Sequence, residues 1–247
     1  MRNMNYVLRM LARWAAITLS ISALVFLAAG TAQLRCLRNY LVVFSTFLLA
    51  TMLAIDPGLA RERSCASGLK ADKARATAGL LFLGTLIVGA YETGRLRWFE
   101  AVPATLQICS LSIFAIAEGL QLWAMITNPF FSPDIRVQSE RGHCVVSCGP
   151  YRFVRHPGYL AMLVSIPASA IAIGSWLALV PAAMFCLLIL ERVRIEDAFL
   201  QSNLAGYREY MQMVPGGLVP CPLYRRPSRE EPDDRNFILR HSGRRKP

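Results

Sequence analysis

Long apolar runs separated by short polar connectors dominate the first half of the chain. They cover residues 14–30, 40–55, 77–91 and 101–126. Most approach or exceed the length of about 20 residues that an α-helix needs to cross a bilayer, some only with their flanks counted. The pattern therefore predicts four transmembrane helices. The first run could alternatively be a secretory signal, because Arg2, Arg9 and Arg13 precede it and small residues follow.

A fifth apolar run, residues 160–190, is too long for one comfortable span. Gly174 and Ser175 interrupt it near the middle, which predicts two short helices that form a hairpin. A polar helix is expected to follow, from about residue 191 to residue 213. The predicted fold is an all-α integral membrane protein with six transmembrane helices, or equally five, and a C-terminal helical hairpin.

These patterns divide the chain into three parts. Residues 1–127 are predicted to be transmembrane scaffold helices, and residues 128–224 a core that contains a polar loop, the hairpin and the polar helix. Residues 225–247 form a basic tail, rich in Arg, Asp, Glu and Pro, which is expected to be disordered. The expected chemistry is confined to the second part, where polar residues lie beside the apolar hairpin.

Composition and charge agree with a membrane protein. Hydrophobic residues make up 54% of the chain, charged residues only 17%, and the mean hydropathy is +0.38, whereas a soluble domain carries about 25% charged residues. The formal net charge is +11. Most Lys and Arg fall in connectors on one side of the predicted bundle, and the positive-inside rule assigns that side to the cytosol. This cytosolic location accounts for the charge, so membrane lipids are expected as partners and nucleic acid is not.

The cysteine pattern gives no sign of a disulfide framework or a metal site. Seven cysteines, an odd number, are spread over predicted helices and inside loops. His143, Cys144 and Cys148 lie close together, but no second cluster completes the four ligands that zinc requires. No bound metal is therefore expected.

The connector 149–159 concentrates polar side chains at the mouth of the hairpin. It contains Arg155 and His156, and Tyr151 and Tyr159 frame them. Because Pro157 suits a first helical turn, His156 is expected at a helix start, where free backbone N–H groups can face a ligand. A helix start whose arginines anchor to lipid headgroups would show the same pattern, but the two framing tyrosines favour a ligand site.

A second polar cluster follows the hairpin. In a helix, Arg192 and Glu196 stand four residues apart on one face, with Asp197 beside them. The cluster leaves the hairpin at the end where Arg155 and His156 enter it, so we expect all of them to share one site rather than to form surface ion pairs. Glu118, deep in the fourth apolar run, either lines a cavity or pairs with an arginine, and is left outside the predicted site.

The order of these motifs carries a family likeness. The pattern Gly-x-Tyr-x-x-x-Arg-His-Pro-x-Tyr, a hydrophobic hairpin, Arg-x-x-x-Glu-Asp-x-x-Leu and a pair of tyrosines resembles the isoprenylcysteine carboxyl methyltransferases. It is also similar to the related phospholipid N-methyltransferases. The likeness covers residues 138–220. It implies an integral membrane enzyme without a Rossmann domain, which binds S-adenosylmethionine in a cytosolic cofactor pocket.

The resemblance also implies which residues form the site. Arg192 would meet the substrate and Glu196 would hold the cofactor, so these two are the predicted catalytic residues. The family's usual Glu-Glu pair is Glu196-Asp197 here, which is a departure from the pattern. The residues expected to line the cofactor pocket are Gln138, His143, Cys144, Val145, Val146, Tyr151, His156, Pro157, Gly158, Tyr159 and Glu196.

The reaction expected from this likeness is O-methylation of a carboxyl group on a lipid-like substrate of the prenyl-cysteine type. A carboxylic acid with a pKa of roughly 4 is already ionised at neutral pH, so its methylation needs alignment rather than a general base. Three alternatives stay open at this point. They are methylation of a phospholipid amine or a thiol, a sterol-type membrane reductase, and a non-enzymatic membrane protein.

Overall fold

The computed structural model describes residues 4–55 and 69–220 of the chain. All regular structure in these two ranges is helical. Two parts of the sequence interpretation lie outside the described residues. One is the predicted tail at 225–247. The other is the pair of basic residues Arg61 and Arg63, which contribute to the charge asymmetry. The seven α-helices of the described ranges are α1 Met4–Ala29, α2 Arg35–Ala54, α3 Leu69–Tyr91, α4 Ala104–Thr127, α5 Pro157–Ala172, α6 Leu179–Asn203 and α7 Tyr207–Met213.

Four of these helices are long and apolar enough to cross a membrane. The candidate spans are Val7–Ala29, Arg35–Ala54, Lys73–Leu96 and Ala104–Thr127, and each contains most of one apolar run predicted from the sequence. Helix α5 has 16 residues, so it is only about 24 Å long, which is less than the hydrocarbon thickness of a typical bilayer. The total of five or six spans therefore stays a prediction.

Helix α5 lies at the centre of the bundle. It packs against α4 and α6 most extensively, and also touches α2 and α3. Small side chains make this close packing possible because they let helix backbones approach each other. The buried small residues of α5 are Gly158, Ala161, Ser165, Ala168, Ser169, Ala170 and Ala172. The apolar core continues between α2 and α4, where the rings of Tyr40 and Phe114 lie 5.0 Å apart.

The turn between α5 and α6 is fixed by a buried carboxylate of a neighbouring segment. Gly174 has a φ of 89°, a left-handed conformation that favours glycine. Glu92, in a π-helical turn at Glu92–Leu96, accepts hydrogen bonds from the Ser175 hydroxyl and from the Leu177 backbone N–H, the latter at 2.9 Å. Glu92 is only 4% exposed. This contact joins the α5–α6 pair to the end of α3, and no sequence pattern predicted it.

Glu118 occupies a membrane-length helix, as its sequence position predicted. It lies within α4 and is partly exposed. It forms no ion pair with an arginine among residues 4–55 and 69–220, and it is not in the wall of the main cavity. Glu118 therefore has no part in the site described next.

Candidate functional site

The connector 149–159 folds as a short 3-10 turn that leads into α5. Gly149–Arg152 forms the turn, and α5 begins at Pro157 with His156 at its N-cap position. Tyr151 is buried, and its backbone carbonyl accepts a hydrogen bond of 2.8 Å from the Tyr210 hydroxyl of α7. The expected helix start at His156 is present, because proline needs no amide hydrogen in the first turn of a helix. Arg155 and His156, which precede Pro157, both contact Asp197 of α6.

Asp197 joins this connector to α6 and α7. Its Oδ1 atom lies 2.8 Å from His156 Nε2 and accepts a hydrogen bond of 2.6 Å from the Tyr207 hydroxyl. Its Oδ2 atom forms an ion pair of 2.7 Å with Nη2 of Arg155. Burial alone would raise the pKa of Asp197, but hydrogen bonds from His156, Arg155 and Tyr207 hold this pKa well below its usual range. Asp197 is therefore an anionic hub that fixes three elements at the site.

Arg155 extends the same network to the segment after α7. Its Nη1 donates hydrogen bonds of 2.8 Å to the Val214 carbonyl and 2.7 Å to the Pro215 carbonyl. The backbone N–H groups of Arg155 and His156 donate to the carbonyls of residues 216 and 217, each at 3.0 Å. We call residues 214–217 the C-terminal strap. The strap holds the connector against α6 and α7, so the helix start cannot move independently of the C-terminal part of the site.

A second chain of hydrogen bonds joins Glu196, Tyr159 and Arg192. The Tyr159 hydroxyl donates to Oε2 of Glu196 at 2.6 Å, and Nε of Arg192 donates to the same hydroxyl oxygen at 2.9 Å. Nη2 of Arg192 also donates to the carbonyl of Pro133. Within the described ranges, Nη1 of Arg192 is paired with no acceptor. The helical spacing of Arg192 and Glu196 thus brings both to Tyr159, as the sequence predicted for residues on one helix face.

The loop 128–148 forms the wall opposite α6. Gln138 is completely buried, and its side-chain amide donates to the Phe130 carbonyl at 2.9 Å. Its backbone N–H donates to Nδ1 of His143 at 3.2 Å, and the His143 ring stacks on Phe130 with centroids 4.4 Å apart. Burial lowers the pKa of His143, and the nearby Arg141 and Arg136 lower it further. His143 is therefore neutral at neutral pH, with Nδ1 acting as an acceptor.

These elements enclose one cavity of about 250 Å³. It is lined by every predicted site residue except Gln138, namely His143, Cys144, Val145, Val146, Tyr151, His156, Pro157, Gly158, Tyr159, Arg192 and Glu196. His156 and Glu196, which come from separate polar clusters in the sequence, face the same space. Gln138 lies behind the wall, where it holds the backbone of the loop. His156 is engaged by Asp197 as well as facing the cavity.

The cavity has a polar end and an apolar side. Arg192, Glu196 and Tyr159 stand at the polar end, while α3, α5 and α6 contribute apolar side chains to the rest of the lining. The apolar lining residues of these helices include Ala74, Ala78, Met162, Phe185, Leu188 and Ile189. Among the described residues no cluster of three or more His, Cys, Asp or Glu side chains could hold a metal ion. The cavity therefore suits a partly charged, partly apolar ligand.

The sequence interpretation gave no individual role to several residues of this site. Asp197 and Arg155 were expected near the site, but not as partners of each other, and Tyr207 was noted only as part of a motif. Arg75 of α3, which pairs with Asp134 in the cavity wall at 2.5 Å, contributed only to the charge asymmetry. Its partner is 59 residues away in the chain, and a pairing at that separation depends on how the helices pack, which local patterns do not encode.

Comparison with known proteins finds a matching family model. Residues 110–202 match the family model described as the isoprenylcysteine carboxyl methyltransferase (ICMT) family. The match covers less than half of the chain, and over this region the chain is similar to the ICMT family. The matched range contains α5, most of α4 and nearly all of α6, and includes the connector, Arg192, Glu196 and Asp197. With the four apolar helices, this relationship identifies a multi-pass membrane protein.

Three relatives show how far the similarity extends. The protein-S-isoprenylcysteine O-methyltransferase of Schizosaccharomyces pombe is 25% identical over 122 residues, which is 47% of this chain and 50% of the relative. Protein-S-isoprenylcysteine O-methyltransferase B of Arabidopsis thaliana is 29% identical over 111 residues, 44% of this chain and 56% of the relative. The cobalt-zinc-cadmium resistance protein CzcN of Cupriavidus metallidurans is 26% identical over 148 residues, 57% and 62% respectively. The chain thus spans half to about three-fifths of these relatives.

Proposed function

We propose that this protein is a membrane-embedded, S-adenosylmethionine-dependent methyltransferase that O-methylates the carboxylate of a lipid-like substrate of the prenyl-cysteine type. The observation that carries the proposal is the shared cavity. The connector before α5 and the charged end of α6 face one space, in which Glu196, Tyr159 and Arg192 form a single hydrogen-bonded chain. Ordinary ion pairs on a protein surface would not be expected to surround a cavity of this kind.

The polar end of the cavity fits a cationic methyl donor. When bound, S-adenosylmethionine supplies a methyl group on a positively charged sulfur. The carboxylate of Glu196 attracts a positive centre, and the rings of Tyr151 and Tyr159 in the same wall favour a cation through their π-faces. His143 is neutral and so adds no opposing charge. The residues at this end of the cavity therefore match the chemistry of the donor.

Arg192 is the residue best suited to bind the carboxylate acceptor. Two of its nitrogens are held by Tyr159 and by the Pro133 carbonyl, which fixes the plane of the guanidinium. Its Nη1 group remains available to a carboxylate oxygen, and the planar fork of arginine suits such a partner. Since the acceptor is already ionised, Arg192 has to orient it rather than remove a proton. The apolar lining on α3, α5 and α6 is suited to the acceptor's lipid part.

We also propose that the polar end of the cavity opens on the cytosolic side. That end of the bundle carries Lys73 and Arg75 in the first turns of α3, and Arg136, Arg141 and Arg152 between α4 and α5. The connector between α3 and α4, at the opposite end, contains two arginines, and the one between α1 and α2 leads into two more at the start of α2. This excess follows the positive-inside rule. A water-soluble donor would then reach the site from the cytosol, and a lipid acceptor from the bilayer.

The test uses purified protein in detergent, radiolabelled S-adenosylmethionine, and separate prenyl-cysteine, phospholipid and thiol acceptors. We expect label in the prenyl-cysteine product and donor binding measurable by calorimetry. Glu196→Gln should weaken donor binding by about tenfold or more, because it removes the charge that faces the cation. Transfer of label to the phospholipid or the thiol instead would assign a different acceptor class. No donor binding by the wild-type protein would refute the methyltransferase itself.

Arg192→Lys separates the acceptor role from the donor role. We expect donor affinity within about twofold of wild type, but turnover lower by about tenfold or more, because a point charge cannot reproduce the planar fork. Arg194→Lys is the matched control, since Arg194 is two residues away on α6 with an 81% exposed side chain. Full turnover in Arg192→Lys would show that Arg192 does not hold the acceptor.

A further inference from the structure

An ion pair joins the scaffold to the wall of the cavity. Nη2 of Arg75, on α3, lies 2.5 Å from Oδ1 of Asp134, in the loop after α4. The Asp134 side chain is only 3% exposed and that of Arg75 is 34% exposed. Both residues line the cavity. Arg75 lies outside the residues that match the family model, whereas Asp134 lies inside them. The pair thus links the region that matches the family model to α3, which lies outside that region.

The Arg75–Asp134 ion pair is connected through one peptide group to Arg192, the residue proposed to bind the acceptor. The carbonyl of Pro133 and the N–H of Asp134 belong to one peptide group, which is planar and rigid. That carbonyl accepts the hydrogen bond from Nη2 of Arg192. On its other side, the Asp134 N–H donates to the Ser132 hydroxyl at 3.2 Å, so the local turn is also held. Any displacement of Asp134 therefore moves the oxygen on which the Arg192 guanidinium rests.

We propose that Arg75 and Asp134 are positioning residues for the acceptor. Their ion pair fixes the Pro133 carbonyl, and the carbonyl fixes the guanidinium plane of Arg192, so that Nη1 stays directed at the acceptor carboxylate. This inference rests on the proposed function of the same site. Alignment is the main requirement for methylating a carboxylate, and a misplacement of about 1 Å in a reacting group can reduce a rate by about a hundredfold. The donor-facing residues are joined to Arg192 at a different atom: Nε of Arg192 donates to the Tyr159 hydroxyl, which in turn donates to Glu196.

This role predicts a selective kinetic effect. In Asp134→Asn and in Arg75→Gln, kcat/KM for a prenyl-cysteine acceptor such as N-acetyl-S-farnesylcysteine should fall by about tenfold. The dissociation constant of S-adenosylmethionine, measured by calorimetry, should stay within about twofold of wild type, because Glu196 and Tyr159 are untouched. Arg75→Lys keeps the charge and should recover part of the lost activity. Glu191→Gln breaks an exposed ion pair on α6 and should leave both quantities unchanged.

The double variant Arg75→Gln/Asp134→Asn tests whether the two residues act as one unit. If they do, the double variant should be no slower than the worse single variant, since the link is already broken. A purely structural ion pair would instead lower the melting temperature and weaken donor and acceptor together. Unchanged acceptor kinetics in both single variants, or a parallel loss of donor affinity, would overturn the proposal.

Hydrogen-exchange mass spectrometry gives a readout that does not depend on turnover. Breaking the link should speed exchange of the backbone amides of residues 130–136 in Asp134→Asn, and Glu191→Gln should show no such change. If the wild type methylates no carboxylate acceptor, the proposed function fails whatever the exchange rates are. If the wild type is active but exchange in this loop is unaltered, only the inference about Arg75 and Asp134 fails.

Discussion

Replacing Asp197 with asparagine should destabilise the protein through the unpaired charge of Arg155. The guanidinium of Arg155 has an 8% exposed side chain, and Asp197 is 18% exposed. Removing one partner of a buried ion pair costs about 3–5 kcal/mol, and the partial exposure of Asp197 places this site near about 3 kcal/mol. In a chain of this size each kcal/mol corresponds to about 2–4 °C, so the melting temperature should fall by roughly 6–12 °C.

Thermal unfolding in detergent, followed by tryptophan fluorescence, measures this change. The matched control is Glu191→Gln, which breaks the 3.6 Å pair with Arg194 on the exposed face of the same helix. That control should shift the melting temperature by no more than about 2 °C, because surface pairs contribute little. A shift equally small in Asp197→Asn would refute the assignment of Asp197 as the anionic hub of the site.

The stability that Asp197 contributes to the fold should also depend on pH, in a direction set by its pKa. Because the folded protein holds the pKa of Asp197 below its usual range, the stability that this carboxylate contributes is fully present above the unfolded-state pKa of about 4. It is lost as the pH falls through the lower pKa of the folded state. The difference between wild type and Asp197→Asn should thus stay constant above about pH 5 and shrink in more acid solution.

Two further predictions concern the wall of the cavity. In Gly158→Ala the new Cβ would lie 2.5 Å from Cε2 of Phe131, so the ring must move and donor affinity by calorimetry should fall about tenfold. Gly119→Ala, with open space around the new atom, is the control, and equal affinities in both variants would contradict the geometry. Protonation of His143, whose pKa burial lowers, would place a cation in the wall. Donor affinity should therefore fall as the pH drops below the ordinary histidine pKa of about 6.5, and less so in His143→Asn. Identical pH profiles would exclude this role for His143.

The helices and the shared cavity were predictable from local patterns. The four apolar runs predicted the helices that became α1 to α4, because each run is long and apolar enough to determine a helix by itself. The spacing of Arg192 and Glu196 predicted that both would reach one site, since residues four apart share a helix face. The position of His156 before Pro157 likewise predicted the start of α5.

The partners of these residues were not predictable in the same way. The contacts of Asp197 with Arg155 and His156, and that of Arg75 with Asp134, join residues 41 to 59 positions apart. Such contacts follow from how α3, α5 and α6 pack, which hydrophobic periodicity does not specify. The position of Gln138 was also not predictable from local sequence. The resemblance assigned it to the cofactor pocket, but its position depends on the fold of the loop, where its buried amide holds Phe130.

The C-terminal strap also has a consequence for the order in which the protein is made. Residues 214–217 supply the carbonyls that accept hydrogen bonds from the Arg155 guanidinium and from the backbone N–H groups of Arg155 and His156, just before α5. They are synthesised after every other part of the site. Until then, the Arg155 guanidinium must rely on water for these bonds. The site can therefore close only once the ribosome has released the strap, and an interrupted nascent chain would carry an exposed cation instead of a finished cavity.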